Sequence, residues 1–478
     1  VLKVSKQRNM KSFLVFCCIS MLTITCIAEE NERTLEGRWF GKLQAGSLSL
    51  RTGLEIRYEE NAYHVDFYSL DQTDAAIPME NVTFVEGILS FEKPGLRLSY
   101  SGTMIEDGAK LKGIAVQGLP RPLILERVAS FPELVRPQTP QPPFDYAAVE
   151  VDYLNVELEN RLAGTLTIPH ERKKYTAAIL ITGSGLQDRD ETILGHKPFW
   201  VIADFLTRNG IAVLRVDDRG VGGSEAGDGS ETSVDFASDV AAGVAFLRAH
   251  PRINKKKIWL IGHSEGGYIA PMVAVKDKKI EGIVSLAGTA VTGKEILMVQ
   301  NRLIRASQGV PEETLDWFMP LYEELTEIAV AESDLEQARI KSKAALERRL
   351  GMAPWALRLA GSVLAIEVDA IAQQLQTAWM KYFLVHDPAK DWQMTRCHVL
   401  AVFGEKDLQV SSRQNAPVLA ELLSGRARGS YAIIEDDSLN HLMQHAETGA
   451  IAEYGTIEET IAEDVLNEML LFILGESR

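Results

Sequence analysis

Cysteine is scarce in this 478-residue chain: there are four, and three of them, at positions 17, 18 and 26, fall within the first 26 residues. Only Cys397 lies in the body of the chain, so no disulfide framework holds this fold and a hydrophobic core must do so. Positive charge is also in short supply, with 50 Lys and Arg against 66 Asp and Glu, a formal balance of −16. A nucleic-acid partner is therefore not expected, because phosphate binding needs a basic face. Long apolar runs are missing as well. The longest, Phe13 to Ile27, is shorter than the ~20 residues that a membrane-spanning helix needs, so no integral membrane span is expected. No repeat of solenoid period and no HExxH metal pattern occurs, and neither a metal nor a cofactor is expected.

The apolar run has its own meaning. It follows Lys3, Lys6, Arg8 and Lys11 and ends at Ala28 before Glu29 and Glu30, the layout of a secretory signal over residues 1–28 with Met10 as a plausible start. Export, to a periplasmic or extracellular location, is the expectation. Lipid anchoring at Cys26 is the lesser alternative, because Thr25 is bulkier than the Gly or Ala usual before an anchored cysteine. Cys397, in the apolar stretch before His398-Val399-Leu400, reads as packed rather than reactive.

With 46% hydrophobic residues and this length, two or three domains with a substantial core are expected. Between residues 33 and 130 the rhythm is two-fold, as in Leu54-Glu55-Ile56, Tyr63 to Phe67, Leu96 to Tyr100 and Leu123 to Leu125, which predicts a small antiparallel β-domain, sandwich or barrel. Its short motifs, Tyr68 to Gln72 and Val116 to Gly118, have no catalytic spacing. Prolines at 132, 137, 140, 142 and 143 then mark a semi-rigid linker over 131–146. From 147 to 478 strands alternate with helices: Ala177 to Thr182, Phe199 to Arg208, Ile211 to Val216, Val234 to Ala249, Ile258 to Ile261, Gly266 to Val275 and Ile280 to Leu286. Such alternation predicts a mostly parallel sheet with helices on both faces. A helical stretch at about 291–390, with Pro311, Pro320 and Pro354 as breaks, is too long for a loop and reads as a cap. Strands return at Val399 to Phe403 and Tyr431 to Ile434, with helices at Gln414 to Leu423 and Ile457 to Leu474.

Strand Ile258 to Ile261 runs straight into Gly262-His263-Ser264-Glu265-Gly266-Gly267, a GxSxG pattern between strand and helix. Glycines on either side leave room for a crowded turn that thrusts the Ser264 hydroxyl outward, while the helix start presents the Glu265 N–H to a developing oxyanion. A general base and an acid must follow, and they do. Asp407 comes after strand Val399 to Phe403 and His441 after strand Tyr431 to Ile434, both just beyond carboxyl ends of parallel strands. His441 is suited to take the serine proton and Asp407 to hold one imidazole tautomer. The second oxyanion donor is expected from the loop Thr182 to Asp190, as the amide of Ser184 or Gly185. Asp188, Arg189 and Asp190 read as a brace for that loop more readily than as substrate contacts. Asp217 to Gly223 lacks the last glycine of a dinucleotide loop, which makes it a structural turn, and His445, four residues after His441, reads as a surface or packing residue rather than a metal ligand.

These motifs together carry a resemblance. The catalytic portion resembles the exported bacterial α/β-hydrolase esterases often labelled serine aminopeptidase-like, on Gly183 to Glu191 (GSGLQDRDE), Val213 to Ser224, Gly262 to Gly267 (GHSEGG), Gly404 to Val410 and Asn440 to Gln444, five ordered motifs over about 260 residues. Leu186 and His398 stand where such proteins commonly have proline. The resemblance implies an α/β-hydrolase fold with a helical cap behind a β-rich N-terminal domain, and hydrolysis of a small-molecule acyl ester by Ser264, Asp407 and His441. Two rivals are carried forward. One is an aminopeptidase or acyl-peptidase, which turnover of aminoacyl anilides without ester turnover would reveal. The other is an inactive hydrolase scaffold serving as a binding protein, which failure to react with a fluorophosphonate would favour. Cap aromatics such as Trp317, Phe318, Trp355, Trp379, Tyr382 and Phe383 are candidates for pocket walls, with helix packing the default for most.

Overall fold

The computed structural model describes residues 35–475 except 46–47, 72–75, 97, 118, 171–173 and 427. The signal segment at 1–28, with Cys26, lies outside the described residues, as do Gln72, Arg97 and Gly118. The chain divides into two compact units, at residues up to Leu134 and from Val135 onward.

In the first unit the two-fold alternation becomes nine antiparallel strands: β1 (Gly37–Ala45), β2 (Leu48–Glu59), β3 (Ala62–Ser69), β4 (Ile77–Pro78), β5 (Glu80–Val85), β6 (Ile88–Lys93), β7 (Leu98–Ile105), β8 (Lys110–Gln117) and β9 (Leu119–Val128). Their spatial order is β4-β3-β2-β1-β9-β8-β7-β6-β5. The rings of Tyr63 on β3 and Phe84 on β5 meet at 5.7 Å, which brings the two ends of that order together, so the sheet curls as a barrel does. Alternate residues, among them Trp39, Leu54, Ile56, Leu89, Leu111 and Leu125, fill its interior.

The second unit is built on eight strands in the order β10-β11-β13-β12-β14-β15-β16-β17. An antiparallel hairpin, β10 (Tyr146–Asn155) and β11 (Asn160–Pro169), opens it; β12 (Tyr175–Ile181), β13 (Ile211–Val216), β14 (Ile253–His263), β15 (Gly282–Leu286), β16 (His398–Gly404) and β17 (Tyr431–Asp436) run parallel. The sheet is thus mixed, since β11 also pairs with β13 antiparallel. Every residue of β15 is buried, as is expected for a central strand covered on both faces. The later prolines of the linker stretch are fastened to this unit: Arg136 donates to the carbonyls of Leu194, Gly455 and Ile457, and Gln138 pairs with the backbone of Thr460 and Ile461.

Helices α1 (Pro198–Arg208), α2 (Ser233–Ala249) and α3 (Glu265–Lys276) connect the parallel strands, and the cap consists of α4 (Gly293–Ser307), α5 (Glu312–Ala331), α6 (Leu335–Leu350), α7 (Trp355–Leu359), α8 (Gly361–Leu375), α9 (Ala378–Val385) and α10 (Pro388–Met394), followed by α11 (Ser412–Ser424) and α12 (Glu463–Leu474). Pro311 and Pro354 sit at helix starts as expected, but Pro320 lies inside α5. There the helix buries Leu315, Phe318, Met319, Leu321, Tyr322 and Leu325 on both sides of the proline, and that burial outweighs the missing hydrogen bond. The final helix begins at Glu463 rather than Ile457; Thr460, Ile461 and Ala462 are instead buried in a non-helical approach that Gln138 holds. Among the described residues no helix is long and apolar enough to cross a membrane.

Candidate active site

Strand β14 ends in six consecutive buried residues, Ile258 to His263, and α3 starts two positions later. Ser264 makes the turn between them with φ 52°, in the left-handed region that a non-glycine residue enters at a cost. Its neighbours explain how. A Cβ on Gly262 would lie 2.0 Å from the Gly266 carbonyl oxygen, and one on Gly266 would lie 2.1 Å from that of Ile181. Ser264 N–H donates to Leu286 O at 2.8 Å and its carbonyl accepts from Gly267 N–H at 2.9 Å, which pins the turn on both sides.

Asp407 is 2% exposed, just past β16. Its Oδ1 accepts the amides of Gln409 (2.7 Å) and Val410 (2.9 Å), which leaves Oδ2 to accept from His441 Nδ1 at 2.8 Å. The histidine loop is self-braced: Asn440 Oδ1 accepts from the amides of Leu442 and Gln444, and Asn440 N–H donates to Gln444 O. His441 Nε2 makes no hydrogen bond among the described residues, and neither does the Ser264 hydroxyl. The two loops touch through His263, whose Nε2 donates to the His441 carbonyl at 2.9 Å and whose ring stands 4.8 Å from that of His441.

The loop after β12 faces the elbow. A Cβ on Gly183 would sit 3.3 Å from Ser264 Cβ. The Gly183 amide is used by Glu191 Oε1 (2.7 Å) and that of Gln187 by Asp218 Oδ2 (2.9 Å). The amides of Ser184 and Gly185 have no partner among the described residues, and Gly185 takes φ +96°, which pushes this tip outward. The charged residues that follow serve as a brace. Asp188 accepts from Thr192, Arg189 forks onto Asp217 through Nε (3.0 Å) and Nη2 (2.6 Å), and Asp190 pairs with Arg215. Burial opposes the charge of Asp217, yet Arg189 and the amide of Gly223 hold its carboxyl below the usual range. Asp218 has no such cation. Desolvation pushes its pKa up to about 7, against hydrogen bonds from Gln187 and Thr182, and the charges of Glu191 and Glu265 push the same way. Arg219 pairs with Asp239 at 2.8 Å, so the Asp217 to Gly223 segment is a structural turn with local ion pairs.

Three contributions were not visible in the sequence. Glu265, whose backbone was singled out, also has a side chain that accepts from Ser233 (2.6 Å), Tyr268 (3.4 Å) and the cap residue Trp379 (2.8 Å); burial raises its pKa despite those donors. Glu191 and His263 form a pair at 3.0 Å. Trp379 and Phe383 stack at 5.6 Å, and Phe383 approaches Tyr268 of α3 at 6.1 Å, so this end of the cap rests on the elbow helix. Of the other cap aromatics, Phe318 is in the cap core and Trp355 is exposed. His445 pairs with Glu459 at 3.0 Å on the surface, away from His441 Nδ1 and its partner. Cys397 is buried, and that burial raises its thiol to about 11.

A serine on a strand-to-helix elbow of a mostly parallel sheet, with acid and histidine loops at the ends of later strands, defines an α/β-hydrolase. Residues 178–453 match the alpha/beta hydrolase family, and the chain belongs to it. Among curated relatives, esterase EstD of Thermotoga maritima is 28% identical over 317 residues, a stretch covering 65% of this chain and 66% of that protein's length. Similar solved structures include the alpha/beta hydrolase GrgF from Penicillium sp. sh18 (16% identity, 69% of this chain and 99% of that one, TM-score 0.42). Another is the Pyrococcus furiosus esterase Pf2001 (13% identity, 69% and 93%, TM-score 0.42).

Proposed function

We propose that this protein is a serine esterase that cleaves small carboxylic esters through an acyl-enzyme. The observation that carries the reading is the His441–Asp407 pair at 2.8 Å beside an elbow serine whose hydroxyl, like His441 Nε2, is uncommitted. In the first half-reaction Ser264 Oγ bonds to the ester carbonyl carbon while His441 Nε2 takes its proton, and Asp407 stabilises the imidazolium. The carbonyl oxygen, now negative, is held by the Glu265 amide together with that of Ser184 or Gly185. Collapse expels the alcohol, which leaves with the proton from His441. Water then repeats the sequence on the acyl-serine and releases the acid.

An aminopeptidase reading needs a carboxylate for a substrate ammonium group. The carboxylates flanking Ser264 are already engaged, Glu265 by Ser233, Tyr268 and Trp379 and Glu191 by Gly183 and His263, and this favours the ester. Export rests on the composition of residues 1–28, and the acidic net charge of −16 argues against a nucleic-acid partner.

The test is a panel of p-nitrophenyl esters of graded acyl length, with matched aminoacyl anilides, on wild type and Ser264→Ala, alongside fluorophosphonate labelling. Wild type is expected to label and to turn over esters, with Ser264→Ala losing about 10³-fold or more in kcat and all labelling. Ester turnover surviving in Ser264→Ala would end the proposal.

A further inference from the structure

The pair formed by Glu191 and His263 has no part in the chemistry described above, yet it touches the loop after β12, the elbow and the His441 loop. His263 is the residue before the nucleophile. Its Nε2 can only donate to the His441 carbonyl, at 2.9 Å, so a proton resides on that nitrogen. Its Nδ1 faces Glu191 Oε1 at 3.0 Å, and the same oxygen accepts the Gly183 amide at 2.7 Å, so Oε1 is an acceptor twice over. With Glu191 as a carboxylate the second ring nitrogen supplies a proton too, and His263 is then an imidazolium facing it. Both residues are buried, at 8% and 5% exposure. Glu191 reaches this place with φ 52°, a backbone cost the chain accepts to aim that carboxylate.

We propose that Glu191 and His263 are positioning residues of the reaction, a buried ion pair that clamps the oxyanion loop, the nucleophile elbow and the histidine loop into one register. Glu191 holds the loop through Gly183, His263 is continuous with Ser264, and the Nε2–H bond fixes the backbone of His441. Three separate segments, each carrying one function, are tied at a single charged pair. The titratable groups that face the pair are His441 and Asp407 on one side and Asp218, whose charge acts against that of Glu191. The other elements packed on it present apolar side chains, including Phe199, Ile202, Leu286, Met443 and Ile461. Burial alone would strip the proton from His263, but Glu191, the His441 carbonyl and the charge of Asp407 raise its pKa to about 8. The clamp is therefore closed below that pH and loosens above it.

This inference rests on the reading of Ser264 as nucleophile, and its test separates the two. The kcat and KM of wild type and Glu191→Gln are measured for one p-nitrophenyl ester from pH 6 to 9.5, with thermal unfolding as a check on folding. Glutamine keeps an acceptor for Gly183 but cannot hold the cation. Expected are a kcat lower by about 10- to 100-fold with KM changed less than threefold, as for misplaced rather than missing groups. Wild-type kcat/KM should also fall along an alkaline limb near pH 8 that Glu191→Gln lacks. Should Glu191→Gln not fold, ¹⁵N histidine spectra of wild type at pH 7 decide, since His263 must have both ring nitrogens protonated. A neutral His263 in those spectra overturns the clamp, as does an E191Q enzyme with wild-type kcat and pH profile beside an inert Ser264→Ala. Full turnover in Ser264→Ala would instead defeat the underlying reading.

Discussion

The two units place their backbone strain differently. Among the described residues, the non-glycine residues with positive φ in the β-barrel unit are Glu60, Asn61, Asn81, Glu86, Glu106 and Asp107, all exposed, at turns or, for Asn81, at an irregularity in the pairing of β5 with β6. In the hydrolase unit one such residue, Glu159, caps the opening hairpin. The other five among the described residues, Glu191, Leu194, Ser264, Ala287 and Met443, are buried or half-buried around the Ser264 elbow, the loop after β12 and the His441 loop. Buried charge is distributed in the same way. Asp71 in the barrel is answered by Arg51 at 2.6 Å, whereas Asp218 beside the active site has only a hydroxyl and an amide. Strain at a solvent-facing turn is local and relievable. Strain that the surrounding packing must enforce is a mark of a site held ready for a ligand or a reaction.

The largest expected effect comes from withdrawing the space that makes the elbow possible. Gly262→Ala puts a methyl 2.0 Å from the backbone oxygen of Gly266, which cannot yield without moving α3. A loss of more than about 4 kcal/mol is expected, as for other enforced backbone clashes. Thermal unfolding and soluble yield would register it, with active enzyme below a tenth of wild type. Wild-type stability in this variant would mean that the elbow is compliant and the contrast between the units is false.

Asp218 gives an intermediate effect with a definite pH signature. An unfolded aspartate gives up its proton near ~4. In the folded protein Asp218 keeps its proton to about 7. Between those values the folded state binds the extra proton, so stability falls as pH rises through this window. Asp218→Asn can donate to Thr182 and accept from Gln187 without any charge. Its Tm should exceed that of wild type at pH 8, and the gap should shrink toward pH 5. Equal Tm values at both pH values would show that Asp218 is solvated or paired in solution.

The legible parts of this molecule are those where local chemistry decides. Strand Ile211 to Val216 follows from its β-branched and apolar residues, and the helix read over Val234 to Ala249 appears as α2 with Thr232 as its N-cap. The positions of Ser264, Asp407 and His441 beyond the ends of β14, β16 and β17 were legible because each follows a short apolar strand. What stayed hidden depends on tertiary partners. The hairpin β10–β11 carries a two-fold alternation at Val149-Glu150-Val151-Asp152-Tyr153, but nothing in that alternation says that β11 pairs antiparallel with β13. Pro320 reads as a break because its burial on both sides is not a property of its neighbours in sequence. The His263–Glu191 pair joins two motifs 72 positions apart, and nothing in either one names the other. The signal that was available was a glutamate closing the GSGLQDRDE loop with no stated task.

The smallest effect tests the barrel side of the contrast. Glu86 and Gly87 form the two-residue link between β5 and β6, both with positive φ, at 51° and 78°. This is the geometry of a type I′ hairpin, whose first position favours asparagine because its short polar side chain tolerates the left-handed region. Glu86 is exposed, and its side chain makes no hydrogen bond with another described residue. Glu86→Asn should therefore stabilise the barrel by about 0.5 kcal/mol, with ester turnover unchanged. Denaturant unfolding of the full chain, followed by a probe in the barrel such as the buried Trp39, has the resolution to detect it. A destabilised variant would mean that Glu86 is held by something beyond its turn, and that the barrel too stores strain for a purpose.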